Sequence, residues 1–282
     1  MGMPGAAWAT VVARALVLVP SFFVLVRRFD VVPEPTARKP SRKELRALMS
    51  LAWPTSAQFV LRIAAMLLVN SLVARFYSTE ADQTATTAMG LVFRVDSVAL
   101  FVAMGWGGAA QTFVGQNLGA NQDARAKRAG IIAAAYDALM NIAFFALLGC
   151  YGQEVLRFFG KEDAPVAIGL DYLRIVGKSY LGLGIGVVLG NAITAAKAAR
   201  TAFRVDVGVL LAFQLPVCLV AVLVLKVSLL GLFQCVAATA FAGALAYGVV
   251  YLRGQWIAEG RALDAPTTTA SESVAPPMNE VS

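Results

Sequence analysis

Three ionisable side chains, Arg62, Asp96 and Asp137, sit where a chain this apolar has least reason to keep them. Each falls near the centre of a long hydrophobic run, at residues 48–76, 85–114 and 126–150. A charged group at the middle of a bilayer costs about 2.5 to 3.5 kcal/mol on insertion scales, so it is kept where it faces a cavity, an ion pathway or a partner. With helices rising about 1.5 Å per residue, the three lie at one depth and can meet. Arg94 and Asp96 are two residues apart and point to different faces of one helix, so the expected partner of Asp96 is Arg62, across helices. Gln58 stands one turn before Arg62, and Asn141 one turn after Asp137, which widens both polar faces. Asn70 and Gln214 offer hydrogen bonds at other depths.

Two chemistries fit this set. In the first, the residues line a central, water-accessible cavity where a carboxylate exchanges protons or sodium while a substrate is held. In the second, they form an ion-pair network that fixes helix packing and moves nothing. Asp171, Arg174 and Lys178 follow one face near a membrane surface, where snorkelling accounts for them. The chain has no histidine, which removes histidine metal sites and histidine-based triads. Cys150, Cys218 and Cys235 lie in apolar runs without metal-ligand spacing and read as buried free thiols. No serine–lysine or paired-aspartate constellation stands out, so the sequence reads as something other than an enzyme, with no bound cofactor and only a proton or sodium as coupling ion.

The elements that must position these residues are membrane helices. Hydrophobic residues make up 59% of the chain and charged residues 15%, with a mean hydropathy of +0.69, which a soluble domain does not reach. Seven apolar runs are long enough to span, at residues 6–26, 48–76, 85–114, 126–150, 168–191, 203–225 and 229–251. Runs of this length exclude a porin-type barrel, whose segments alternate over about ten residues. The net charge of +7 lies in the loops rather than along one stripe, which argues for membrane topology and against a nucleic-acid partner.

Lysine and arginine set the orientation. The first connection carries Arg27, Arg28, Arg38, Lys39, Arg42, Lys43 and Arg46, whereas the second, YSTEADQT, carries only Glu80 and Asp82. Arg125, Lys127 and Arg128 make the third basic again, and Lys197, Arg200 and Arg204 do so two connections later. That alternation predicts an N-terminus outside and a C-terminus in the cytoplasm. Pro216, inside the sixth run, should kink its helix and free a carbonyl. Residues 27–47 read as a proline-rich, basic cytoplasmic linker, and residues 254–282 as a disordered cytoplasmic tail.

Between Gly105 and Gly130 the sequence GWGGAAQTFVGQNLGANQDARAKRAG passes from apolar helix through a glycine-rich turn to a basic segment. Gly115 and Gly119 frame Gln116 and Asn117. Together with the preceding GLVFRVDSVALFVAM, this stretch resembles the eighth helix and following loop of the MATE (multidrug and toxic compound extrusion) transporters, and the resemblance extends to about Trp256. It implies an all-α integral membrane protein: one six-helix lobe at residues 48–253 preceded by one helix at 1–26, the last of a first lobe. An internal match points the same way, since GMPGAAWATVVARAL from Gly2 aligns without gaps to GLFQCVAATAFAGAL from Gly231, the offset of a six-helix parallel repeat.

What the resemblance implies for function is antiport of small organic, often cationic, compounds against protons or sodium in a bacterial inner membrane. The two lobes would rock about a midplane site, with the missing first lobe supplied in cis or in trans. It also implies a departure. Several family members carry an acidic residue about two turns after the proline matching Pro54, and Arg62 stands there. The family's other coupling carboxylate belongs to the first helix of the first lobe. An inactive truncated fragment and a lipid-linked oligosaccharide flippase of related fold are the alternatives, the latter expecting a more basic cavity.

Overall fold

The computed structural model of the chain describes residues 3–29, 41–79 and 81–264. Among these residues every regular element is helical. In chain order the elements are α1 (Met3–Phe29), α2 (Arg42–Phe76), α3 (Thr84–Gly119), α4 (Asp123–Phe159), α5 (Asp163–Val176), α6 (Tyr180–Ala195), α7 (Ala199–Asp206), α8 (Leu215–Leu223), α9 (Leu229–Arg253) and α10 (Gln255–Asp264). A 3-10 turn, Gly177–Ser179, joins α5 to α6, and a π-helical segment, Val207–Gln214, joins α7 to α8. Six stretches are long and apolar enough to cross a membrane: Leu48–Phe76, Thr84–Gly119, Asp123–Phe159, Asp163–Ala195, Ala199–Leu223 and Leu229–Arg253. They match six of the runs read from sequence, several of them longer by one or more turns.

The chain forms two compact units, residues 1–50 and residues 51–282. In the first, α1 turns Leu16, Val17, Leu18, Val19, Phe22 and Phe23 outward, with Arg14 also exposed before them. Ser21 inside it returns its hydroxyl to the Val17 carbonyl at 2.8 Å. Arg27 and Arg28 close α1's last turn, and α2 is already helical from Arg42, so both ends of the expected linker are helix. Residues 30–40, the centre of that linker, lie outside the described residues, as does Gly2 of the internal match.

The second unit packs small residues inward and large ones outward. On α3 the buried positions are Ala85, Ala88, Leu91, Val92, Val95, Ala99, Ala103, Gly107, Ala110 and Val114, a spacing of three and four that marks one helical face. Phe101, Phe113, Leu139 and Leu245 point out instead. Inside lipid there is no gain from hiding large apolar groups, so close backbone approach holds the bundle. Hydroxyls on outward faces are satisfied within their own helices, as in Ser71 to Leu67, Ser97 to Phe93 and Thr112 to Gly108. Cys150, expected to be buried, also lies on the outside of α4, and Cys235 is only half-buried.

The span made of α5 and α6 is the central post. It is 67% buried where the other spans are 22–33% buried, and α6 packs against α3, α4 and α9. The glycine-rich stretch after Gly105 does not form a turn. Residues through Gly119 stay helical in α3, and the chain reverses over Ala120–Gln122, where Asn121 takes a left-handed conformation at φ 57° and the Gln122 N–H caps the Asn117 carbonyl at 2.8 Å. Gly107 is instead a packing residue, because a side chain there would fall on Asn191 of α6.

The first part of the expected tail is structured. Gly254, at φ 74°, ends α9 in the left-handed region that glycine favours, and α10 folds back from it. Trp256 of α10 is fully buried, stacks on Tyr251 with ring centroids 4.9 Å apart, and donates its indole N–H to the Tyr251 carbonyl at 3.0 Å. Arg261 pairs with Asp123 at 2.6 Å. Polar composition hid this helix, since a single buried tryptophan supplies its anchor. Residues 265–282 lie outside the described residues. Trp256→Ala should lower stability by about 3 to 5 kcal/mol, the cost of emptying a large aromatic site. Leu252→Ala, on the exposed face of α9, should leave the thermal midpoint of the detergent-purified protein almost unchanged.

Candidate functional site

Among the described residues, Asp96, Asp137 and Asp206 of the second unit are held inside it in three separate places. The first joins α2, α7 and α9. Asp206, at the end of α7, is nearly sealed, and Arg62 reaches it bidentately, with Nε 3.0 Å from Oδ2 and Nη2 3.2 Å from Oδ1. Tyr247 of α9 donates its hydroxyl to Asp206 Oδ1 at 2.7 Å, with the Ala202 carbonyl 3.1 Å away. A planar guanidinium matches a carboxylate in this fork geometry and fixes the angle between the helices that carry them. Gly190 on α6 makes room for the Tyr247 ring, whose nearest atoms would stand 3.2–3.4 Å from a Cβ there.

The expected Arg62–Asp96 pair does not form. Asp96 accepts from two tyrosines, Tyr172 on α5 at 2.7 Å and Tyr180 at the start of α6 at 2.5 Å. Both rings are buried, and Tyr172 packs edge-on against Phe233. Depth along the membrane put Arg62 and Asp96 level, but the two residues belong to different helix interfaces, which depth alone does not reveal. The partner that residue-by-residue reading missed is Asp206. It stood in the sequence by the same signal as the others, an ionisable group within the run at residues 203–225.

Asp137 and Asn141, expected as neighbours one turn apart on α4, are adjacent and both fully enclosed. Asn141 Nδ2 donates to Asp137 Oδ2 at 3.1 Å and to the Asp137 carbonyl at 3.1 Å. Asp137 Oδ1 and Asn141 Oδ1 have no hydrogen-bond partner. Opposite them stands Gly184 of α6, where any Cβ would collide with Asp137 Oδ2 and Asn141 Nδ2. The space these two side chains fill is therefore left by what α6 lacks. One carboxylate oxygen and one amide oxygen of the pair are enclosed without a donor.

The other candidates scatter. Gln58 is buried on α2 with Nε2 unpartnered, and Gln214 is buried at the end of the π segment. Asn70 is exposed on α2. Arg94 faces outward with its guanidinium 5.3 Å from the centre of the Phe159 ring, lining a cavity of about 380 Å³ with Lys161 and Glu162. Gly115, Gln116 and Gly119 sit on the last turns of α3, where Gln116 is exposed and its carbonyl accepts from the Ala120 N–H at 3.1 Å. Neither of the two cavities described here includes Arg62, Asp96 or Asp137 in its walls.

Outside the spans, Asp82 in the second connection holds the next helix start. Hydrogen bonding from the Thr84 side chain and backbone, the latter at 3.0 Å, lowers its carboxyl below the usual range.

Comparison with known proteins adds the following. A family profile described as MatE matches residues 54–220. The chain is 27% identical over 198 residues to the "Probable multidrug resistance protein YpnP" of Bacillus subtilis, covering 70% of this chain and 43% of that protein. It is 27% identical over 150 residues to the "FAD transporter" of Shewanella oneidensis, covering 52% of this chain and 33% of that protein. Among solved structures, the Vibrio cholerae MATE transporter VcmN in its bent form superposes with a TM-score of 0.78 at 19% identity, over 93% of this chain and 57% of that one. The chain thus spans about half the length of the proteins it matches, or less.

Two outcomes follow from the buried nodes. Asp206→Ala, which strands Arg62 without its partner, should cost about 3 kcal/mol, whereas Arg62→Met with Asp206→Leu should lie much nearer wild type in thermal midpoint. Gly184→Ala should lower that midpoint by several degrees. Adding Asp137→Ala to it should recover part of the loss, because the nearer of the two colliding groups is gone while Asn141 Nδ2 remains.

Proposed function

The chain belongs to the MatE family, a family of membrane transporters, and on that premise we propose that it forms the second lobe of a secondary antiporter. The cargo is a small organic compound, predominantly cationic, expelled across a bacterial inner membrane in exchange for protons or sodium. The observation that carries this reading is the enclosed Asp137–Asn141 pair. An acidic group enclosed in a membrane lobe, with one carboxylate oxygen undonated and the amide oxygen of its partner one turn away undonated too, is suited to take up a proton or a small cation. Asp96, held by two tyrosine hydroxyls, and Asp206, held by an arginine and a tyrosine, are already satisfied and act as fasteners.

Charge placement supports a cationic cargo over a lipid-linked oligosaccharide. Arg62 is neutralised by Asp206, and Arg94 lies in a cavity at a helix end, so neither makes the interior of the lobe basic. The orientation proposed puts α4's start, the α6–α7 turn and α10 in the cytoplasm. Arg125, Lys127, Arg128, Lys197, Arg200, Arg204 and Arg261 all cluster there, as the positive-inside bias requires. Alternating access comes from this lobe rocking against a first lobe, which the chain's share of its relatives' length leaves to another segment or another chain.

Export of a fluorescent cation from efflux-deficient cells tests this, with the chain expressed alone and joined behind an N-terminal MatE lobe. The two-lobe protein should export and the chain alone should not. Asp137→Asn should cut the two-lobe rate by tenfold or more while leaving membrane insertion intact. Undiminished export by Asp137→Asn removes the coupling role, and full export by the chain alone removes the two-lobe mechanism.

A further inference from the structure

At the proposed cytoplasmic edge, α7, the end of α9 and α10 enclose a cavity of about 650 Å³. Arg200 and Arg204, one turn apart on α7, enter it from one side and Arg253, the last residue of α9, from another. None of the three guanidiniums makes a hydrogen bond or ion pair among the described residues. Glu259 of α10 is the one acid in the wall, and it is engaged by the Thr201 hydroxyl. Val205, Val250 and Trp256 complete the lining. Three arginines against one occupied carboxylate leave a site that is strongly positive, partly apolar and open on one side.

We propose that this cavity binds the phosphodiester headgroup of an anionic membrane lipid. Guanidinium forks match phosphate oxygens in pairs, and arginine is retained where that geometry is used. Position selects lipid over free phosphate. The cavity lies at the ends of two spans, Ala199–Leu223 and Leu229–Arg253, the level at which headgroups sit. Val205 and Val250 in the wall and exposed Leu252 beside Arg253 continue the surface toward the hydrocarbon, where acyl chains would run. The volume falls within the range of sites that take small-molecule ligands. A lipid seated here bridges α7, α9 and α10, so it braces the α10 strap against the lobe and leaves the Asp137–Asn141 pair untouched.

Thermal unfolding of the full chain in nanodiscs tests this, with phosphatidylcholine alone, phosphatidylcholine plus phosphatidylglycerol, and phosphatidylcholine with added inorganic phosphate. Phosphatidylglycerol should raise the wild-type midpoint by about 3 °C. Arg200→Gln/Arg204→Gln/Arg253→Gln should abolish that rise while matching wild type in phosphatidylcholine, and Arg204→Gln alone should remove part of it. Arg125→Gln/Arg128→Gln, basic and exposed on the same side, should keep the full rise. An equal rise in the triple variant, loss of the rise in the Arg125/Arg128 variant, or an equal rise with inorganic phosphate each overturns the assignment. Because the readout is stability rather than export, failure here leaves the transport reading standing, and the reverse also holds.

Discussion

A bundle in lipid cannot draw on the hydrophobic effect to press its helices together, so this lobe depends on how closely backbones can approach α6. Gly182, Gly184, Gly186 and Gly190 run along that helix. A Cβ at Gly182 would stand 2.8 Å from the Ala240 carbonyl oxygen of α9. Two turns on, Gly190 admits the Tyr247 ring, and between them Gly184 leaves the space that Asp137 and Asn141 fill. Two faces of α6 thus meet their neighbours without side chains, Gly182, Gly186 and Gly190 toward α9 and Gly184 toward Asp137 and Asn141 of α4, and each makes a place for the polar groups that neighbour carries. Tyr251, one turn beyond Tyr247, fills the matching gap at Gly130 of α4 and bonds the Ala126 and Lys127 carbonyls.

The spans were legible because length and hydropathy state them directly, and Leu48–Phe76 was read with both its ends. The polar contacts were legible only where they are local. Asp137 and Asn141 meet because four residues make one turn, whereas Arg62 finds Asp206 at a separation of 144 residues, which no periodicity encodes. The tyrosines that complete two of the three nodes looked like ordinary apolar-run residues, since an aromatic ring hides its hydroxyl from any hydropathy count. The opposite error came from glycine. Gly115 and Gly119 suggested a turn, but glycine in membrane helices more often marks a contact surface, and the turn went to Asn121. For α10 the signal was too small, one tryptophan in ten residues.

The three nodes also differ in kind. Two are closed: each carboxylate oxygen of Asp96 has its own tyrosine, and those of Asp206 share an arginine and a tyrosine. Such nodes fasten α3 to α5 and α6, and α2 to α7 and α9, at fixed geometry. Only the Asp137 node keeps acceptors without donors. The first kind fixes helix geometry, and the second leaves a buried carboxylate and amide oxygen without donors.

Regular α-helix is interrupted in the span Ala199–Leu223. Pro216 has no N–H to return to the turn before it, and the helix there widens into the π segment Val207–Gln214, the response expected when a regular ladder is interrupted. Below the segment, α7 is fastened by Asp206 to Arg62 and Tyr247. Above it, α8 is fastened by Cys218 and Val222 to Leu72, Val73 and Leu232. Within it, only Gln214 is buried. These eight residues therefore join two anchored halves while giving one side chain to the core. The segment follows directly on Asp206, so a change in helix angle there acts on the Arg62 ion pair from α2 and the Tyr247 hydrogen bond from α9 together.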